Sequence, residues 1–250
     1  MSDTVVIIPA YNEEAALPAT LATLSATRPD LDVIVVDDGS TDATSEVARN
    51  AGVMVITLPY NLGIGGALRT GFLYAVRKGY RRAVQFDGDG QHDAAAIAVL
   101  LDNLDGGADL VIGSRFSTTG GEYSVSGARS RAMGLLRWLV RILTGEKFTD
   151  TTSGFRGFSR PMLEFFARYY PVEYMESVEA LILAHGAGFD VREVPVQMTA
   201  RETGLPSTRG LRLVYHFCRV LVVMSISKGA LRRPDPVPGT GDGPAAEATP

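Results

Sequence analysis

The stretch Ala83-Val84-Gln85-Phe86-Asp87-Gly88-Asp89-Gly90-Gln91-His92 decides how this chain is read. Its first four residues predict a β-strand, and the run ends abruptly on two aspartates separated by a glycine. In open α/β folds, ligands bind outside the carboxyl ends of the strands. Two carboxylates one residue apart can share a hard divalent cation such as Mg²⁺ or Mn²⁺. Magnesium in particular is usually bound through one or two carboxylates plus substrate phosphates, not in an all-protein cage. Asp87 and Asp89, with Gly88 between them, are therefore the candidate holders of a metal–diphosphate.

The surrounding sequence supplies the rest of such a sheet. Short apolar runs at Thr4–Ile8, Asp32–Val36, Val53–Leu58, Ala83–Phe86 and Leu110–Ile112 alternate with helical patterns at Glu13–Ala26, Asp42–Asn50, Ile64–Lys78 and Ala94–Leu104. Asn12 stands where an N-cap of the first helix belongs. Strict β-α alternation predicts an α/β fold with a mostly parallel, doubly wound sheet. After Arg115 the rhythm changes. A Gly/Ser/Thr-rich loop over Ser117–Gly127 precedes an amphipathic helix, Ala128–Leu143, that mixes arginines with leucines. A short strand (Ser153–Phe158), two helices (Pro161–Tyr170, Met175–His185), a strand (Phe189–Val196), a polar loop (Arg201–Arg209) and a second basic, apolar helix (Leu211–Leu231) follow. The expected organisation is an α/β half over 1–116, a second half of the same domain over 117–233, and a disordered tail from Pro234 with five prolines and three glycines.

Charge is divided along the chain. Residues 1–110 carry a net −8, residues 111–233 a net +7 and the last 17 residues a net −3. The basic half suits phosphates or an anionic membrane surface. Its cations are interleaved with leucines rather than stacking aromatics, which argues against a nucleic-acid partner. Cys218 is the only cysteine, so no intrachain disulfide forms, in keeping with a reducing compartment. The start, Met1-Ser-Asp-Thr-Val-Val-Ile-Ile, lacks a basic leader and reads as the first strand.

Further motifs sit at predicted strand ends. Asp37-Asp38-Gly39-Ser40 closes the second strand, and a carboxylate there can accept hydrogen bonds from a nucleobase or ribose. After the first strand, in Pro9-Ala10-Tyr11-Asn12-Glu13-Glu14, Tyr11 can stack on a base and Glu13 can bond it. Asn61-Leu62-Gly63-Ile64-Gly65-Gly66 lacks the third glycine of a dinucleotide fingerprint, because Leu68 stands there; it remains a turn at which Gly63 allows close approach of a sugar or phosphate. Arg115, Arg156, Arg201 and Arg209 offer guanidinium forks for an anionic ligand. Glu176 and Glu179 share one helix face, and Glu176 is the candidate general base. The Asp87 loop is not an EF-hand, since His92 and Ala98 occupy its sixth and twelfth positions.

Taken in order, Pro9-Ala-Tyr-Asn-Glu-Glu14, Val36-Asp-Asp-Gly-Ser40, Asn61-Leu-Gly-Ile-Gly65, Phe86-Asp-Gly-Asp-Gly-Gln-His92, Gly113-Ser-Arg115 and Thr152-Ser-Gly-Phe-Arg156 resemble the inverting family 2 glycosyltransferases, most of all the dolichyl/polyprenyl-phosphate sugar synthase branch. The resemblance implies a GT-A fold and a nucleotide pocket from Pro9, Tyr11, Glu13 and Asp38. It implies metal and diphosphate contacts from Asp87, Asp89 and Gln91, and diphosphate or acceptor-phosphate contacts from Arg115 and Arg201. The implied partners are a UDP- or GDP-sugar, a polyprenyl phosphate, a peripheral contact with the inner face of the cell membrane and a small membrane protein. The implied location is cytoplasmic. Thr208-Arg209 replaces the branch's usual lysine after Ser207. Alternative readings are a transferase with a hydroxyl acceptor, which requires a base such as Glu176, a non-catalytic sugar-nucleotide-binding subunit, and a haloacid dehalogenase-type phosphatase with Asp87 as nucleophile. The last leaves Asp37-Asp38 and Ser153-Gly-Phe-Arg156 unexplained.

Overall fold

The computed structural model describes residues 2–115, 127–172 and 176–197, with the backbone alone over 127–133. The expected Ser117–Gly127 loop lies largely, and Arg201, Ser207, Arg209, the Leu211–Leu231 helix and the tail lie wholly, outside the described residues.

Strands β1 (Thr4–Ala10), β2 (Asp32–Asp37), β3 (Met54–Thr57), β4 (Arg82–Gln85), β5 (Leu110–Ser114), β6 (Arg156–Ser159) and β7 (Val191–Pro195) form a single sheet in the order β3-β2-β1-β4-β6-β5-β7. All pairs are parallel except those of β6, which runs antiparallel between β4 and β5. The sheet therefore crosses the expected 116/117 division.

Both faces are covered. Alternate residues of β1 point opposite ways, as strand geometry requires. Val5 and Ile7 share one buried apolar cluster with Leu68 and Phe72 of α3 (Ile64–Lys78), Phe166 of α6 (Arg160–Tyr169) and Leu181 of α7 (Glu176–Gly186). Val6 and Ile8 meet α1 (Leu17–Thr27) and α4 (Ile97–Asp105) through Leu21, Leu24, Ile97 and Leu100. Complete burial of a side chain such as Phe72 contributes about 1.5–3 kcal/mol. A Cβ on Gly71 would stand 2.5 Å from Ile7 Cγ2, so glycine lets α3 lie close on the sheet. The remaining helices are α2 (Thr44–Asn50) and α5 (Gly127–Thr144).

Several boundaries depart from expectation, β6 opening at Arg156 rather than Ser153 among them, and three bear on the site. The first helix starts at Leu17 rather than Glu13, and Asn12 is no N-cap: it takes a positive φ of 55° and bonds to the neighbouring loop instead. The Ala94–Leu104 helix opens as a 3₁₀ turn, Ala94–Ala96, whose cap is Asp93. β4 stops at Gln85, leaving Phe86 and both aspartates in the loop beyond it.

Candidate active site

Parallel strands β1, β2 and β4 end on the same edge, with β1 flanked by the other two, which is where α/β sheets open for ligands. The first two loops are tied together by main-chain groups. Asn12 N–H donates to Ser40 Oγ (3.0 Å), Thr41 N–H to Asn12 Oδ1 (2.9 Å) and Glu13 N–H to Thr44 Oγ1 (2.8 Å). Glu14 completes the set by accepting from Ala43 N–H at 2.8 Å. Pro9 lies within β1, half-buried, and Tyr11 is left 46% exposed at the rim.

The two acids after β2 face different neighbours. Asp37 accepts from Ser40 N–H (2.9 Å) and from Ser45 Oγ. Asp38 accepts from Leu62 N–H at 2.7 Å and so holds the turn before α3. Burial pushes the Asp38 carboxyl above its ordinary proton affinity, against the pull of the Leu62 and Gly63 amides. The glycine turn is occupied by the protein's own chain. A Cβ on Gly65 would meet Pro171 O at 2.3 Å, and one on Gly63 would lie 3.7 Å from Val172 O. The close packing falls at Gly65, whereas Gly63 keeps an ordinary van der Waals separation from Val172 O.

The loop after β4 is built around its carboxylates. Thr20 Oγ1 donates to Gly88 O (2.9 Å) and pins the turn. Gln91 donates to Asp89 through its main-chain N–H (3.1 Å) and its side-chain amide (2.8 Å), so it orients that carboxylate. Asp87 N–H donates to Nδ1 of His92 at 3.1 Å, while His92 Nε2 lies 3.6 Å from Asp87 Oδ2. His92 packs against Phe86 and Phe155, ring centroids 5.2 and 4.9 Å away. Burial makes it less basic than usual, despite Asp87 and Asp89 nearby. Asp87 Oδ1 is buried without a hydrogen-bond partner among the described residues. An unsatisfied buried carboxylate oxygen calls for a partner, and a divalent cation supplies one. No group of three or more His, Cys, Asp or Glu able to hold a metal occurs among the described residues. The donor set Asp87–Asp89 therefore fits an ion such as Mg²⁺ completed by substrate phosphates rather than a closed structural site.

The arginines separate. Arg115, just past β5, is clamped by Asp150 through Nε–Oδ2 (2.8 Å) and Nη2–Oδ1 (3.1 Å) contacts. Asp150 is itself fixed: its N–H donates to Glu193 Oε1 (2.6 Å), and Thr149 N–H donates to the same carboxylate. Arg156, in contrast, is fully buried and lies beneath the edge rather than on it, so its expected role as a fork for a diphosphate is not met. Burial lowers its proton affinity. Glu176 and Glu179 do share a helix, but both are buried, at 8% and 5% exposure, not on a solvated face. Burial raises Glu176's proton affinity, opposed by the Ser177 hydroxyl and Arg156. Sequence reasoning missed Asp150 and Glu193, and it quoted Gly154 within a motif without placing it beside Asp87. Asp150 lies two residues before the quoted Thr152-Ser-Gly-Phe-Arg156 block, whereas Glu193 alternates unremarkably within its strand.

A nucleotide-diphosphate-sugar transferase architecture, GT-A, is what this sheet and its acidic edge define. Residues 5–166 match the family model described as "Glycosyl transferase family 2", and the chain belongs to that family. It is 34% identical over 215 residues to the polyprenol monophosphomannose synthase of Mycolicibacterium smegmatis, spanning 83% of this chain and 81% of that protein. It is 35% identical over 213 residues to the undecaprenyl-phosphate mannosyltransferase of Micrococcus luteus, spanning 79% and 84%. Among solved structures, glucosyl-3-phosphoglycerate synthase of Mycobacterium tuberculosis, in complex with Mn²⁺, UDP and phosphoglyceric acid, superposes with a TM-score of 0.68 at 23% identity over 91% of this chain and 78% of that one.

Proposed function

We propose that this glycosyltransferase moves a sugar from a UDP- or GDP-sugar to a polyprenyl phosphate, with inversion at the anomeric carbon and with Mg²⁺ or Mn²⁺ bound. The buried Oδ1 of Asp87, without a partner among the described residues, carries the reading at the site, and the likeness to polyprenyl-phosphate mannosyltransferases supports the acceptor. Asp87 and Asp89 hold the cation, whose chemistry is to neutralise the charge that grows on a departing diphosphate. Gln91 keeps Asp89 oriented, Arg115 faces the same anion, and Tyr11, Glu13 and Asp38 border the nucleotide. A phosphate acceptor is already an anion, so its attack needs no strong base on the protein.

A lipid acceptor also asks for contact with a membrane. Leu135, Trp138 and Ile142 recur at helical spacing on α5 and are 50%, 58% and 58% exposed, with the exposed Arg141 beside them. Such a stripe suits the headgroup boundary of an anionic bilayer. No helix among the described residues is long and apolar enough to cross a membrane. Glu176, enclosed and made more basic by burial, favours a second reading, transfer to a hydroxyl with Glu176 as base. Incubating the protein and Mn²⁺ with UDP- and GDP-sugars, against undecaprenyl phosphate in detergent or small hydroxyl acceptors, separates the two. Charged glycolipid is the expected product; donor turnover with hydroxyl acceptors alone would overturn the lipid reading.

A further inference from the structure

The most unusual group in the core is Arg156, the largest wholly buried side chain among the described residues. A cation withdrawn from water is costly unless its surroundings compensate. Its hydrogen bonds among the described residues all run to main-chain carbonyls: Nε to Ser153 O (2.8 Å), Nη2 to Thr151 O (3.3 Å) and Nη1 to Ser177 O (2.8 Å). One guanidinium therefore spans two segments far apart in sequence. The first, 151–155, presses on the acidic edge at Gly154, where a Cβ would stand 2.7 Å from Asp87 Oδ2 and 3.0 Å from Oδ1. The second is the opening turn of α7, in which Ser177 follows Glu176, the first residue of the helix. Three carboxylates, Glu176, Asp150 and Asp87, act on Arg156 electrostatically without bonding to it.

We propose that Arg156 is a positioning residue: it ties the loop that seats Asp87 to the helix that carries Glu176, so that the two ends of the active site are set together. This rests on the reading of Asp87 as a metal–diphosphate ligand. The geometry explains why an arginine is needed. A planar fork with five donors can serve carbonyls in two segments at once, whereas a lysine ammonium is a point charge that cannot match that spread. It also explains why position 154 is glycine, since any side chain would push on the Asp87 carboxylate.

The test uses the whole protein and Mn²⁺ with UDP or GDP, following free Mn²⁺ by electron paramagnetic resonance. Asp87→Asn must first weaken binding; if it does not, the metal reading fails and the proposal fails with it, in a way its own variants cannot mimic. Given that control, Arg156→Lys and Gly154→Ala are each expected to weaken Mn²⁺–nucleotide affinity about tenfold or more, the usual scale for groups that orient a metal ligand. Near-UV circular dichroism checks that they remain folded. Folded Arg156→Lys, or Gly154→Ala, binding within twofold of wild type overturns the proposal. If Arg156→Lys does not fold, hydrogen exchange on the unaltered protein decides. Mn²⁺ with nucleotide should slow exchange in 151–156 and in the first turn of α7 together, and protection confined to the first segment refutes the coupling.

Discussion

Replacing Gly65 by alanine tests how the donor side is built. Alanine in a helix is favoured over glycine by about 0.5–1 kcal/mol, so propensity alone predicts a more stable protein. The structure predicts the opposite. The new Cβ would stand 2.3 Å from Pro171 O, 2.7 Å from Val172 Cα and 3.0 Å from Val172 C. These are main-chain atoms, which cannot swing aside as a side-chain tip can. Overpacking costs about 1–3 kcal/mol, and backbone contacts this close belong at the upper end. The net expectation is a loss of about 2 kcal/mol, or about 4–8 °C in Tm for a chain of this size. Gly134→Ala is the matched control, because nothing among the described residues lies within 4 Å of its Cβ position; it should gain up to about 1 kcal/mol. Urea unfolding of both variants measures the contrast. A Gly65→Ala protein as stable as wild type would show that α3 does not rest on the 171–172 backbone, and the account of the glycine turn would fail.

Other expectations follow from the same geometry. Wild-type protein should gain about 2.7 kcal/mol from Mn²⁺ and its cognate nucleotide at a hundredfold excess over Kd, a gain lost with EDTA or in Asp89→Asn; an undiminished thermal shift in that variant would remove Asp89 from the ligand set. Glu193→Ala strips the acceptor from the N–H groups of Thr149 and Asp150, so denaturant titration should show a loss of about 2–4 kcal/mol, with Glu193→Gln losing less. Glu176 holds its proton more tightly folded than unfolded, so it costs stability increasingly as pH rises above its unfolded value near 4.5. Glu176→Gln should therefore flatten the pH–stability curve above that point and be no less stable at pH 7; an unchanged slope would contradict it. Trp138→Ala combined with Arg141→Ala should reduce flotation with anionic liposomes at low salt, and equal flotation would take α5 out of the membrane contact.

Much of the fold was legible because the strands are both apolar and punctuated. Val33–Val36 and Ala83–Phe86 end in acidic turns, and every helix between them carries a 3.6-residue pattern. What could not be read was the place of β6 in the sheet, although a short strand was expected over Ser153–Phe158. Arg156-Gly-Phe-Ser is short, begins with a charge and pairs antiparallel in the middle of the sheet, which local pattern cannot announce. The acidic edge was legible as a set of residue types, but their partners were not. Asp38 and Leu62 are 24 residues apart, and Asp150 and Glu193 are 43 apart. Burial was the least legible property of charged residues: nothing in the types of Arg156, Glu176 and Glu179 announces that tertiary packing encloses them.

The place of β6 has a further cost during synthesis. β5 finds its ladder partners only in β6 and β7, and β4 has one bare side until β6 arrives. Between completion of Gln85 and of Ser159 a ribosome adding about 5–20 residues per second needs on the order of 4–15 s. For that interval the nascent chain offers an open β-edge, a template for mispairing with neighbours. Fragments ending near residue 116 should therefore precipitate or require a chaperone.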